Sequence, residues 1–89
     1  MDKNILPIGS IVKLKGLKKS FMIYGYMQSC GIKEKKILDY CAVPYPEGNL
    51  DPRFNIAFNR DKIEEVIFCG YEDEKFEPWR KLLAQKESV

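Results

Sequence analysis

The stretch SFMIYGYMQ, residues 20–28, decides what kind of fold this chain can adopt. Its residues favour extended backbone, yet both faces are apolar. Phe21, Ile23 and Met27 share one side with Gly25, and Met22, Tyr24 and Tyr26 share the other. Such a strand sits in the middle of a sheet, or has its second face covered by a helix, a loop or another chain. Gly25 marks a bulge or bend of the kind that curves a short sheet. Two readings stand for Tyr24 and Tyr26: cover by the chain's own C-terminal segment, or a face for a partner, because tyrosine is enriched in interfaces.

Outward from this strand, the chain reads as more β-structure. On its N-terminal side ILPIGSIVKLKG (5–16) alternates Val12 and Leu14 against Lys13 and Lys15, a half-buried strand whose lysines suit a sheet edge, followed by the polar turn LKKS (17–20). On the other side the basic SCGIKEKK (29–36) reads as a hairpin loop, and ILDYCAVPY (37–45) as a third strand halted by Pro44. In VPYPEGNLD (43–51), Pro46 presets φ for a turn, and Glu47-Gly48 or Gly48-Asn49 supplies the positive φ. NIAFN (55–59) is a fourth strand with Ile56 and Phe58 inward. RDKIEEV reads as one helical turn near 61–65, capped by Asp61 with Glu64 three residues on, and VIFCGY (66–71) as a fifth strand.

The tail changes period. Phe76, Trp79, Leu82 and Leu83 recur at helical spacing with Pro78 in the first turn, which predicts a helix over about 77–86. Phe76 and Trp79 either dock it on the sheet or leave Trp79 for a partner. The fold expected is mainly β: a small, strongly bent antiparallel sheet or SH3-like barrel of four to five strands, then a C-terminal helix. Residues 1–76 form the β domain and 77–89 the helix and tail. At 89 residues the chain holds a single core.

Composition narrows the chemistry. With 45% apolar and 31% charged residues the chain has the balance of an ordinary globular protein. It has no apolar run near the ~20 residues that span a bilayer, and MDKNILPIG lacks the parts of a classical signal peptide, so a cytoplasmic location is expected. Cys30, Cys41 and Cys69 form no CxxC element and read as reduced thiols. The absence of histidine removes the commonest general base and zinc ligand, and with them Ser-His, Cys-His and zinc hydrolase chemistry of the usual kind.

No other catalytic constellation emerges. Glu64 and Glu65 are adjacent and so point apart, EDE (72–74) lacks the spacing of a calcium loop and reads as a solvated helix start, and GSIVKLKG lacks the order of a phosphate loop. The expectation is a non-enzymatic chain with no cofactor and no metal. Charge is uneven, +5 over residues 1–44 and −3 over 45–89. That asymmetry fits solvated sheet faces or a basic surface awaiting an acidic partner. A nucleic-acid reading draws on Lys13, Lys15, Lys18 and Lys19 beside Phe21, Tyr24 and Tyr26; the low net charge argues against it.

Taken in order, ILPIGSIVKLKG, FMIYGYMQ, DYCAVPYPEGN and FNRDKIEEVIFCGYEDE resemble a small Gram-positive family labelled a domain of unknown function, over residues 5–74. Its members are encoded beside LXG-type polymorphic toxins of the type VII secretion system. The resemblance implies an accessory role: a targeting factor or chaperone gripping a toxin or one of its small helical partners before export. An immunity protein for a neighbouring toxin is the alternative within that setting, and a nucleic-acid-binding barrel the alternative outside it. The expected partner contacts are Tyr24, Tyr26, Tyr45, Glu47 and Trp79, either through a strand edge or through an apolar face that takes a helix.

Overall fold

The computed structural model describes residues 5–28 and 37–87; the expected hairpin loop at 29–36, with Cys30, lies outside the described residues. Five strands run antiparallel in one sheet: β1 (Ile11–Leu14), β2 (Ser20–Gln28), β3 (Leu38–Tyr45), β4 (Ile56–Phe58) and β5 (Ile63–Phe68). Helix α1 (Phe76–Glu87) follows. The strand order is β4-β3-β2-β1-β5, so a four-strand meander is extended by β5 on the far side of β1. Of the two expectations, bent sheet or barrel, the strands form an open sheet, with β4 and β5 at its edges.

The alternation in β1 is as expected, with Val12 and Leu14 buried and Lys13 outward, but β1 is not an edge. Its lysine face is flanked on one side by β2 and on the other by β5, where Lys13 meets a carboxylate instead of solvent alone. The inner face collects Val12, Leu14, Phe21, Ile23, Tyr26, Tyr40, Ala42 and Phe58 into one cluster, closed by Ile5 from the N-terminal segment and Leu83 from α1.

A bulge in β2 reorganises the opening stretch. Ile23 lies opposite Ala42, but Gly25, not Tyr24, lies opposite Cys41, so Tyr24 is the extra residue. Alternation then resumes one residue out of phase, and Tyr26 falls opposite Tyr40 on the inner face. The expectation that Tyr24 and Tyr26 share a face is therefore corrected. Gly25 is the bulge partner, as its small size allows.

The helical turn also shifts. It is a 3-10 turn at Arg60–Lys62 preceded by Asn59, whose side chain makes no cap; β5 begins at Ile63, and Glu64 belongs to the strand. Ile63 sits opposite Leu14, so its burial draws the chain into the sheet before a capping box can form. Asp39 ties the turn to β3 instead: its N–H donates to Asn59 Oδ1 at 3.1 Å, and its Oδ2 accepts from Arg60 N–H at 2.9 Å. A further 3-10 turn, Pro52–Phe54, was not foreseen; Asp51 caps it by accepting from Arg53 N–H, with Pro52 in the first turn.

Helix α1 docks on the chain's own core. Leu83 is 1% exposed and Phe76 packs beside it, while Leu82 faces solvent. Arg80 locks the helix start: its guanidinium lies 4.6 Å from the Phe76 ring centroid, donates to Ile5 O at 3.2 Å, and pairs with Glu72 and Glu77. Among the described residues no helix is long and apolar enough to cross a membrane.

Candidate functional site

The register places side chains on the outer face, opposite the core, in rows. One row runs Phe68, Ile11, Met22, Val43 across β5, β1, β2 and β3, apolar from end to end. The next row on the same face is Glu65, Lys13, Ser20, Tyr45. Val43 and its neighbour Cys41 are buried, so the open part of this face lies over β2, β1 and β5. There Ile11 and Met22 are half-buried and Phe68 is 57% exposed. Tyr24, displaced by the bulge, projects on this side and is 42% exposed. On β5, Val66, opposite the inward Val12, and Ile67, skipped where the register shifts, are exposed as well, and Tyr71 lies just beyond the strand.

The exposure of β5 was not anticipated, because VIFCGY reads as a buried apolar run. Ile63 packs against the core, but residues 64–68 are all exposed, and β5 pairs with β1 alone. Ile11, Met22 and Phe68 also went unnoticed as surface residues. Each stands in a strand of ordinary apolar composition, and only pairing shows that three of them align.

The five expected contact residues do not form one patch. Tyr24 and Tyr45 lie on the outer face, Tyr24 at the middle of β2 and Tyr45 opposite its first residue, Ser20. Tyr26 is in the core, where its hydroxyl donates to Leu6 O while Leu6 N–H donates to Tyr40 Oη at 3.1 Å. The two tyrosines thus satisfy both polar groups of Leu6 and pin the N-terminal segment under the helix. Burial pushes both phenol pKa values up, above all that of Tyr26. Trp79 packs edge-on against Tyr26, ring centroids 6.3 Å apart, with its remaining surface exposed away from the outer face.

Glu47 belongs to the turn of VPYPEGNLD. It pairs with Lys19 at 2.6 Å, and that hydrogen bond holds its carboxyl below the usual range. The Tyr45–Pro46 bond is cis, Gly48 alone takes the positive φ at +77°, and Gly48 N–H donates to Pro44 O. Beneath the turn lies an apolar cleft of about 340 Å³ formed by Phe21, Pro44, Leu50 and Phe54, with the Lys19–Glu47 pair at its lip.

The Gly-Ser and Cys-Gly pairs interlock. Ser10 is fully buried; its hydroxyl donates to Pro7 O at 2.8 Å and accepts from Gly70 N–H at 2.9 Å. A Cβ on Gly70 would overlap the Ile8 carbonyl oxygen. These residues join the start of β1 to the end of β5. In EDE, Glu72 is tied to Arg80, and Asp73 accepts from Lys75 N–H beside the helix start. Cys41 is a buried thiol and Cys69 an exposed one, neither in a disulfide, and desolvation with the Glu72 carboxylate raises the Cys69 pKa. Among the described residues no group of three or more Cys, Asp or Glu gathers to hold a metal ion.

Fold and surface together define a small antiparallel β protein with a docked C-terminal helix and an open apolar outer face. The chain belongs to the family described as a domain of unknown function (DUF4176), matched over residues 5–77. No curated protein and no solved structure matches it.

Proposed function

We propose that this chain is a non-enzymatic, protein-binding accessory factor, a targeting factor or chaperone that holds an LXG-type toxin or its small helical partner in the cytoplasm before type VII export. The observation that carries the reading is the apolar row Phe68–Ile11–Met22 with Tyr24 beside it, uncovered on the outer face. Side chains of that kind stabilise a contact by leaving water, at about 25 cal/mol per Å². The setting comes from the sequence resemblance.

Two details weigh against the nucleic-acid alternative. Of its lysines, Lys13 is paired with Glu64 and Lys19 with Glu47; of its aromatic residues, Phe21 and Tyr26 are in the core. The immunity reading differs from the chaperone reading in the toxin region held, and binding to the N-terminal region with the enzymatic domain fully active rules it out.

The test is co-expression with the adjacent toxin and its small helical neighbours, followed by size exclusion. Co-elution with one of them is expected; elution alone in every combination sinks the accessory role.

A further inference from the structure

We propose that β5 takes up a sixth strand: an extended segment of a partner protein, aliphatic or β-branched at its centre and basic at both ends, pairs main chain to main chain along the outer edge of β5. The inference rests on the protein-binding reading and names the mode and chemistry of the contact.

β5 ends the sheet and is paired only with β1. An edge of this kind presents a row of backbone donors and acceptors to any chain that can match it, and proteins usually guard such edges with charge. Here the charged guard is confined to the first half, at Glu64 and Glu65, and the register with β1 shifts at Glu64 and at Ile67, so the regular part of the edge is short. The second half carries Val66, Ile67 and Phe68, and Phe68 continues into the apolar row of the outer face. An added strand gains hydrogen bonds along the edge and lays alternate side chains beside that row.

Charge selects the occupant. The apolar run lies between Glu64-Glu65 and Glu72-Asp73-Glu74; Glu64 pairs with Lys13 and Glu72 with Arg80, so Glu65 on one side and Asp73 and Glu74 on the other carry the acidic character of the two ends. A second copy is a poor fit. Antiparallel pairing over the full length of β5 sets Glu65 opposite Val66 and brings the Glu64 and Glu65 carboxylates of both copies to the centre. Parallel in-register pairing sets each glutamate on its equivalent. In the antiparallel pair Glu64 of each copy lies diagonally beside Glu65 of the other on one face, and in the parallel pair like charges stand directly opposite; both destabilise the pair. A segment of roughly eight residues, about 27 Å at 3.4 Å per residue, is long enough to carry basic side chains toward both acidic ends.

The probe is a synthetic eight-residue peptide with a Val-Thr-Ile-Val centre and two lysines at each end, titrated into the full chain. Three companions go with it: the same centre between glutamates, the lysine peptide N-methylated at alternate residues, and the Glu65→Lys variant of the protein. The lysine peptide is expected to bind and to slow amide exchange at residues 64–68 at least about tenfold. The glutamate peptide is expected to bind about tenfold more weakly, and E65K to narrow that gap. N-methylation keeps the side chains but removes edge hydrogen bonds, and is expected to abolish binding. Equal binding by the N-methylated peptide, or unchanged exchange at 64–68, overturns strand addition. Equal affinity for both charged peptides overturns the basic partner, and a dimer that protects β5 in the chain alone makes the occupant a second copy. Co-elution with the toxin without protection of β5 defeats this inference and leaves the accessory role standing. Peptide binding without co-elution does the reverse.

Discussion

At the scale of single residues, Tyr24 and Tyr26 are adjacent in pattern and opposite in role. Tyr24→Asp places a charge on an exposed side chain, so the thermal midpoint should stay nearly unchanged while co-elution with the toxin partner is lost. Tyr26→Asp puts a carboxylate into the core beside Tyr40 and removes the donor to Leu6 O, so it should unfold the domain, read as loss of a cooperative melt. Gly70→Ala should cost about 2–3 kcal/mol in urea denaturation, because the Ile8 carbonyl occupies the space its methyl needs. The same two tyrosines give an alkaline limit. Burial holds their folded pKa values above the ordinary phenol value of about 10, so the unfolded chain loses its phenolic protons first. Their contribution is fully present below about pH 10 and is lost as pH rises toward the folded values, so the urea midpoint should fall above about pH 10 and that fall should be smaller in Tyr26→Phe.

At the scale of elements, α1 and β5 show opposite outcomes for apolar sequence. The helix buries one stripe: Leu83→Ala should destabilise by about 2–4 kcal/mol, and Leu82→Ala by less than about 0.5 kcal/mol, compared by thermal melts. The periodicity of Phe76, Leu82 and Leu83 showed that a helix forms there, and its ends fell within a residue of expectation. β5 was legible as a strand but not in its position or exposure. Its first residue moved from 66 to 63 because Ile63 has a place opposite Leu14, and its apolar run stayed outside because no described element covers it. Phe68→Asp should leave the melt intact and abolish partner co-elution.

At the scale of the whole molecule, part of the charge asymmetry of the sequence is met by pairs that join its two halves. Lys13 from the basic half meets Glu64 from the acidic half, and Lys19 meets Glu47. A complex held by the outer face should survive an increase from about 50 to about 500 mM salt, a range over which binding to single-stranded nucleic acid would collapse. Size exclusion at the two salt concentrations reads the difference.

Local pattern was enough for the strands, for the helix, for the bulge at Gly25 and for the turn at Gly48, because backbone sterics and apolar period act within a few residues. Pairing was needed for everything that concerns the candidate face. One extra residue in β2 turned Tyr26 inward and Tyr24 outward, and the return of β5 to β1 aligned Phe68 with Ile11 and Met22. Those relations join residues up to 57 positions apart, Ile11 and Phe68, and depend on register. Register is set by how a whole sheet fills its core, so no window of sequence contains it.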